Sequence, residues 1–355
     1  MDDIHGIFRD LKGIPSLGSV MASIVYVEGS AYKKEGARMI IDRDGCQYGM
    51  LSAGCLEQDL AARMEQGKIP KDPEVIIYDM RGFDMLSWGE GSGCNGVIHV
   101  LVEWVTPKVQ KELAALRDAL ERGEQITMIR TLPEKGSPSF VMYKGSEGNR
   151  FGDHWLSHSA EQKLLHEATY RSDERSQRIQ GTSVKEDIFI HTFQPKQRLV
   201  ILGAGRDARP VLELAEKVGY YTILADWRPG LIVEDSCCPA DERIAASPAD
   251  IIKHIHWQPN DCVMIMTHSF QKDREFLQGL IGKQLKYLGI LGSKQRTKRL
   301  LGNKEIPPSI TTPLGLSIKA EGPEEIAVSI MAELIPLSKI VHGVSKEAVA
   351  RETLE

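Results

Sequence analysis

The stretch LVILGAGRDARPVLELAEKVGYYTILADWRP, beginning at Leu199, limits what this chain can fold into more than any other. A short apolar run enters a glycine turn, an amphipathic helix follows, and a second apolar run ends at Asp226. That succession is the strand–turn–helix–strand start of a dinucleotide-binding sheet. In GAGRDA, Gly203 permits the tight turn, Gly205 lets backbone approach a pyrophosphate, and Ala208 lets the helix pack close to the sheet. Arg206 follows at the mouth of the turn, and the helix start favours an anion. Asp226 ends the next strand, where an acidic residue would hold a ribose hydroxyl. The same turn also serves plain strand–helix packing, and it does not specify a reaction.

From Arg198 onward the pattern repeats. YTILAD, DCVMIMTH and YLGILGS each lead into a turn or helix, and PEEIAVSIMAEL closes the series. Short apolar strands between amphipathic helices predict a parallel sheet with helices on both faces. The first half has another texture. RMIID and CQYGML flank the turn RDG as a hairpin, EVIIYDM and GVIHVLVEW read as strands, and PKVQKELAALRDALERG reads as a helix. The polar, unpatterned SDERSQRIQGTSVK is expected to be a loop. The expected fold is α/β: an α+β N-terminal domain over 1–194, a C-terminal Rossmann-like parallel-sheet domain over 195–345, and a tail over 346–355.

Charge and cysteine usage exclude several classes. The net charge of −5 leaves no basic footprint for nucleic acid. No apolar run approaches the ~18 residues of a membrane span. The N-terminus MDDIHGIFRDLKG lacks an apolar signal core, so a cytoplasmic location is expected. Six cysteines without a CxxC pair spell neither a disulfide scaffold nor a zinc ribbon.

Candidate ligand positions fall in both halves. His268 stands at a strand end in MTHS, either as a ligand or acid–base group or as a histidine bonded to the next helix. Gly292 and Ser293 in LGSK form a second candidate anion nest. In the N-terminal half, GSAYKKEGARMII and MLSAGCLEQDL gather Ser30, Arg38, Gly54, Cys55 and Glu57 around turns. Cys55 precedes a helix, whose start stabilises a thiolate. Cys94 sits in the glycine-rich GSGCNG. Each cysteine reads either as a small buried thiol or as a soft ligand or sulfur carrier.

Taken together, GSAYKKEGARMII, SAGCLEQDL, GSGCNGVIHVLVE, RLVILGAG, DWRP, VMIMTHSFQKDREFL, YLGILGSKQRTKRLL and PLGLSIKAEGPEEIAVSIMAELI resemble the XdhC/CoxI family of molybdenum-enzyme accessory proteins. The resemblance covers about 8–105 and 187–340, and the middle of the chain matches loosely. Ala53-Gly54 stands where the family commonly has a glycine pair, and Cys94-Asn95-Gly96 where it has cysteine and two glycines. The resemblance implies binding of the molybdenum cofactor (molybdopterin), its protection, cooperation with a cysteine desulfurase that adds the terminal sulfur, and insertion into a xanthine-dehydrogenase-type apoenzyme. The residue types then make Cys55, Glu57 and Cys94 the expected neighbours of the molybdenum centre, with Cys55 and Cys94 as its candidate protein ligands. A homodimer is expected. The residues alone leave open an NAD(P)-dependent oxidoreductase with His268 as acid–base, or a nucleotide-sensing module.

Overall fold

The structure is a computed structural model that describes residues 3–81, 95–133, 138–171, 176–179, 187–233 and 239–339. The chain divides between Pro195 and Lys196 into two compact units.

The first unit holds α1 (Asp3–Asp10), β1 (Val20–Ser30), β2 (Arg38–Ile41), β3 (Gln47–Gly49), α2 (Cys55–Glu65), β4 (Glu74–Asp79) and β5 (Asn95–Trp104). There follow α3 (Pro107–Glu121), β6 (Ile126–Thr131), β7 (Val141–Gly145), β8 (Arg150–Gly152), α4 (His158–Arg171), β9 (Ser176–Ile179) and β10 (Ile188–Phe193). The strands make two antiparallel sheets, β3-β2-β1-β5-β4 and β8-β7-β6-β10-β9. β1 is central and buried on both faces, which is why VMASIV is nearly continuous in apolar residues. Val20, Ala22 and Ile24 face α2 and its Leu56 and Leu60. Met21 and Val25 face a core built from α1, α3 and the second sheet, including Met128, Tyr143, Phe189 and Phe193. The far face of the second sheet packs on Leu164 of α4.

The expected hairpin forms as β2 and β3. The segment expected to be a loop, 172–185, contains strand β9, which pairs with β10 from Ile179↔Ile188 to Ser176↔His191. It is a polar edge strand, so the alternation that marks a buried strand is missing.

The second unit holds β11 (Arg198–Leu202), α5 (Ala208–Lys217), β12 (Tyr221–Asp226), α6 (Pro229–Val233), β13 (Glu242–Ala245), α7 (Pro248–His254) and β14 (Cys262–Ile265). It continues through α8 (Phe270–Leu280), β15 (Tyr287–Ile290), α9 (Lys294–Leu300) and α10 (Gly322–Lys339). All its pairings are parallel, in the order β13-β12-β11-β14-β15. Leu199, Ile201 and Met264 pack against α5 and α10 on one face. Val200, Leu202 and Ile265 pack against α7 and α8 on the other. This is the Rossmann-like arrangement expected, with a switch point between β11 and β14. Among the described residues no helix is long and apolar enough to cross a membrane.

Candidate functional site

Two places gather the candidate residues, one in each unit. In the first, the loop after β3 turns into α2 through Gly54, whose φ of 122° favours glycine. Glycine offers the helix no cap, and Ser52 takes that role instead. Its Oγ accepts from the amides of Gly54 and Leu56, both at 3.1 Å, and from the Cys55 thiol at 3.5 Å. The same hydroxyl donates to Glu57 Oε2. The amides of Leu51 and Ser52 donate to Glu57 Oε1 at 2.6 and 2.7 Å. Cys55 is thereby held half-buried at the first position of α2.

Glu57 is buried, and its carboxylate is occupied by donors from its own loop. Burial acts to raise its pKa, but the Ser52 hydroxyl and the Ser52 and Leu51 amides outweigh it and hold the carboxyl below its usual range. A lowered folded-state pKa gives stability that is present above the unfolded value and lost as pH falls through the folded one. Glu57→Gln is therefore expected to flatten this part of the acid limb in denaturation measured from pH 7 to pH 3. It is also expected to cost about 1–3 kcal/mol at pH 7. Equal acid sensitivity in variant and parent would contradict the assignment. Ser52 was not among the sequence candidates. Its signal was a capping pattern, a serine shortly before a helix with a glutamate in the first turn.

Ser30 lies exposed at the end of β1. Arg38 is buried instead, with its guanidinium 4.5 Å from the centre of the Phe193 ring. Cys94 lies outside the described residues.

In the second unit the candidates converge on the C-terminal edge of the parallel sheet. Gly203 has φ of 122°, and a Cβ there would meet the Met266 carbonyl oxygen at 2.6 Å. The glycine turn thus abuts the end of β14 at the switch point. Asp226 is fully buried. Its Oδ2 accepts from Ala204 N at 2.7 Å and Arg228 Nη2 at 2.8 Å, and its Oδ1 from Arg228 N and Nε at 2.8 and 2.9 Å. Burial raises its pKa, and these bonds overcome that and lower it. The carboxylate expected to meet a ribose is engaged in fastening the glycine turn to β12. Arg206 is exposed on the turn. Gly292 and Ser293 lie at the end of β15, where Ser293 caps α9 by accepting from Arg296 N at 3.2 Å.

Asp207 occupies the N-cap position of α5 without capping it. Its Oδ2 lies 2.7 Å from His268 Nε2. His268 is well exposed and adopts a left-handed φ of 59°, a conformation unusual for histidine. Its neighbours hold it there: Thr267 donates through N and Oγ1 to Asp273, at 3.2 and 2.5 Å, and Asp273 pairs with Arg296 at 2.6 Å. Asp207 was also missed, since 61 residues separate the partners. Among the described residues no group of three or more His, Cys, Asp or Glu is placed to hold a metal ion.

Family models match in three places. The XdhC and CoxI family model matches residues 18–68, and the XdhC Rossmann domain matches 199–334. A protein of Bacillus subtilis (strain 168), named as a probable xanthine dehydrogenase component, is 37% identical over 323 residues, which cover 91% of this chain and 94% of that protein. The chain belongs to the XdhC/CoxI family. Between those two matches, residues 107–194 match the central domain of BH1974-like proteins, and this is the part that forms α3, α4 and the second sheet. A crystal structure of a xanthine dehydrogenase (BH1974) from Bacillus halodurans superposes with a TM-score of 0.81 at 40% identity, covering 98% of each chain. The molybdenum cofactor insertion chaperone PaoD of Escherichia coli (strain K12) is 24% identical over 327 residues, 89% of this chain and 82% of PaoD.

Proposed function

We propose that this XdhC/CoxI member is an accessory protein that binds the molybdenum cofactor, protects it during sulfuration and inserts it into a xanthine-dehydrogenase-type apoenzyme. The observation that carries the reading is Cys55, a half-buried thiol fixed at a helix start by Ser52 and the Glu57-bound loop. A soft sulfur donor suits a molybdenum centre or its terminal sulfur. Membership of the family and the likeness to PaoD, named as a molybdenum cofactor insertion chaperone, support the same reading. Cys94 is the second proposed sulfur contact. Glu57 acts by holding the Cys55 loop. In the second unit, the amides at Gly203 and Gly205, with Arg206, Gly292 and Ser293, are proposed to take a phosphate or nucleotide. A cysteine desulfurase is the proposed sulfur source, and the protein acts as a cytoplasmic homodimer.

The test is reconstitution of an apo xanthine-dehydrogenase-type enzyme with cofactor delivered by this protein. Cys55→Ser is expected to lower the active enzyme recovered by about tenfold or more, while Cys46→Ser, on the exposed β2–β3 turn, leaves it unchanged. Equal delivery by Cys55→Ser and the parent would remove Cys55 from the site.

The His268–Asp207 pair favours one second reading, a nicotinamide-dependent oxidoreductase in which Asp207 orients His268 as acid–base. Tight NAD(P)H binding with turnover of a reducible substrate, lost in His268→Gln, is its expected result. Nucleotide binding without turnover points to a sensing module instead.

A further inference from the structure

The first unit contains a carboxyl group that the proposed function does not use. Glu112 of α3 is buried, and its Oε1 has no hydrogen-bond partner. One turn earlier, Lys108 brings its Nζ within 3.9 Å of that oxygen. The ammonium is committed elsewhere: it lies 2.7 and 2.6 Å from the two carboxylate oxygens of Asp153. Asp153 in turn holds the β7–β8 pair. Its Oδ2 accepts from Val141 N at 3.0 Å, and its own amide donates to the Val141 carbonyl at 2.6 Å. Lys108 thus ties the start of α3 to the edge of the second sheet.

The other charged and titratable groups around Glu112 are Arg130 on β6, Glu103 on β5 and Tyr143 on β7. Arg130 and Glu103 already satisfy each other. Lys108 is therefore the cation that can respond to a new charge on Glu112. Burial pushes the Glu112 carboxyl up to about 7, with Lys108 opposing and Asp153 adding to the rise. The group changes charge near neutrality, well above a free glutamate.

We propose that Lys108 is a proton-controlled latch on the second sheet of this unit. While Glu112 is protonated, the ammonium stays on Asp153 and clamps the β7–β8 edge to α3. When Glu112 ionises, its buried carboxylate draws the ammonium off Asp153, and the clamp loosens. The folded-state pKa is raised, so the protonated form is the one the native packing favours. Stability from this site falls as pH rises from the unfolded value of about 4.5 to about 7, and does not return above that.

Hydrogen exchange of residues 141–153 in the full chain, corrected for intrinsic rates, tests the latch at pH 6 and pH 8. In the parent, protection of the Val141 amide is expected to drop about tenfold from pH 6 to pH 8. Glu112→Gln, which mimics the protonated form, is expected to keep the pH 6 protection at both values. Lys108→Met, a change at an exposed side chain, is expected to give fast exchange at both. Protection in the parent that does not vary with pH would overturn the latch. So would an unchanged pH response in Glu112→Gln, or full protection in Lys108→Met.

Discussion

Glu103→Leu is expected to destabilise the first unit by about 3–5 kcal/mol. Glu103 on β5 and Arg130 on β6 are both buried, at 4% and 6% exposure, and bond through two pairs of atoms at 2.5 and 2.7 Å. The pair links the two antiparallel sheets across their shared core. Removing the carboxylate strands a guanidinium in that core without its counter-charge. Arg130→Met is expected to cost a similar amount, for the converse reason. The double variant Glu103→Leu/Arg130→Met removes both charges and is expected to recover most of the loss, because desolvation offsets much of a buried pair's attraction. Urea unfolding of the four proteins measures the coupling directly. Two single-variant losses that simply add in the double would contradict a mutually compensating pair.

Gly203→Ala is the second large effect. Two penalties act together at this position. The φ of 122° lies where an L-residue is strained, at about 1–3 kcal/mol. The new methyl would also fall 2.6 Å from the Met266 carbonyl oxygen, forcing the end of β14 to move, for about 1–3 kcal/mol more. Thermal unfolding of the second unit is expected to show the sum, together with loss of any nucleotide binding at the turn. Gly230→Ala is the control. Nothing lies within 4 Å of a Cβ there, so a change within about 0.5 kcal/mol is expected. Equal stability for Gly203→Ala and Gly230→Ala would mean that the turn is not packed against β14 as described.

The parallel-sheet unit was the more legible half of the sequence. Its strands are short apolar runs bounded by glycine turns, and each helix carries one apolar face, so local periodicity carries most of the answer. The exception is β13, ERIA, an edge strand with one buried residue, Ile244. Its pattern is too short and too polar to register. In the first unit most strands were legible, the short polar edge strands β8 and β9 excepted, but their grouping into two sheets was not. Sheet membership depends on pairings such as Phe189↔Arg130 and Val20↔Trp104, which join residues far apart in the chain. The loosely matching middle of the sequence is the part that builds the second sheet.

The candidate sites divide along the same line. Cys55, Ser52 and Glu57 are local, and a capping pattern could have joined them. Arg38 stood in a stretch expected at the ligand surface, yet it is drawn inward over Phe193, a contact that only the meeting of the two sheets creates. His268 and Asp207 come from consecutive strand ends in space, β14 and β11, but not in sequence.

The measurement that bears most directly on the proposed function is the pterin content of the protein purified from a host that makes molybdenum cofactor. After oxidation, the fluorescence of released pterin is read against protein concentration, and the same sample is titrated with NAD(H). About one pterin per chain in the parent, with a clear reduction in Cys55→Ser, is the expected result. No pterin together with tight NAD(H) binding would contradict the accessory reading and move the functional centre to the glycine turn and His268.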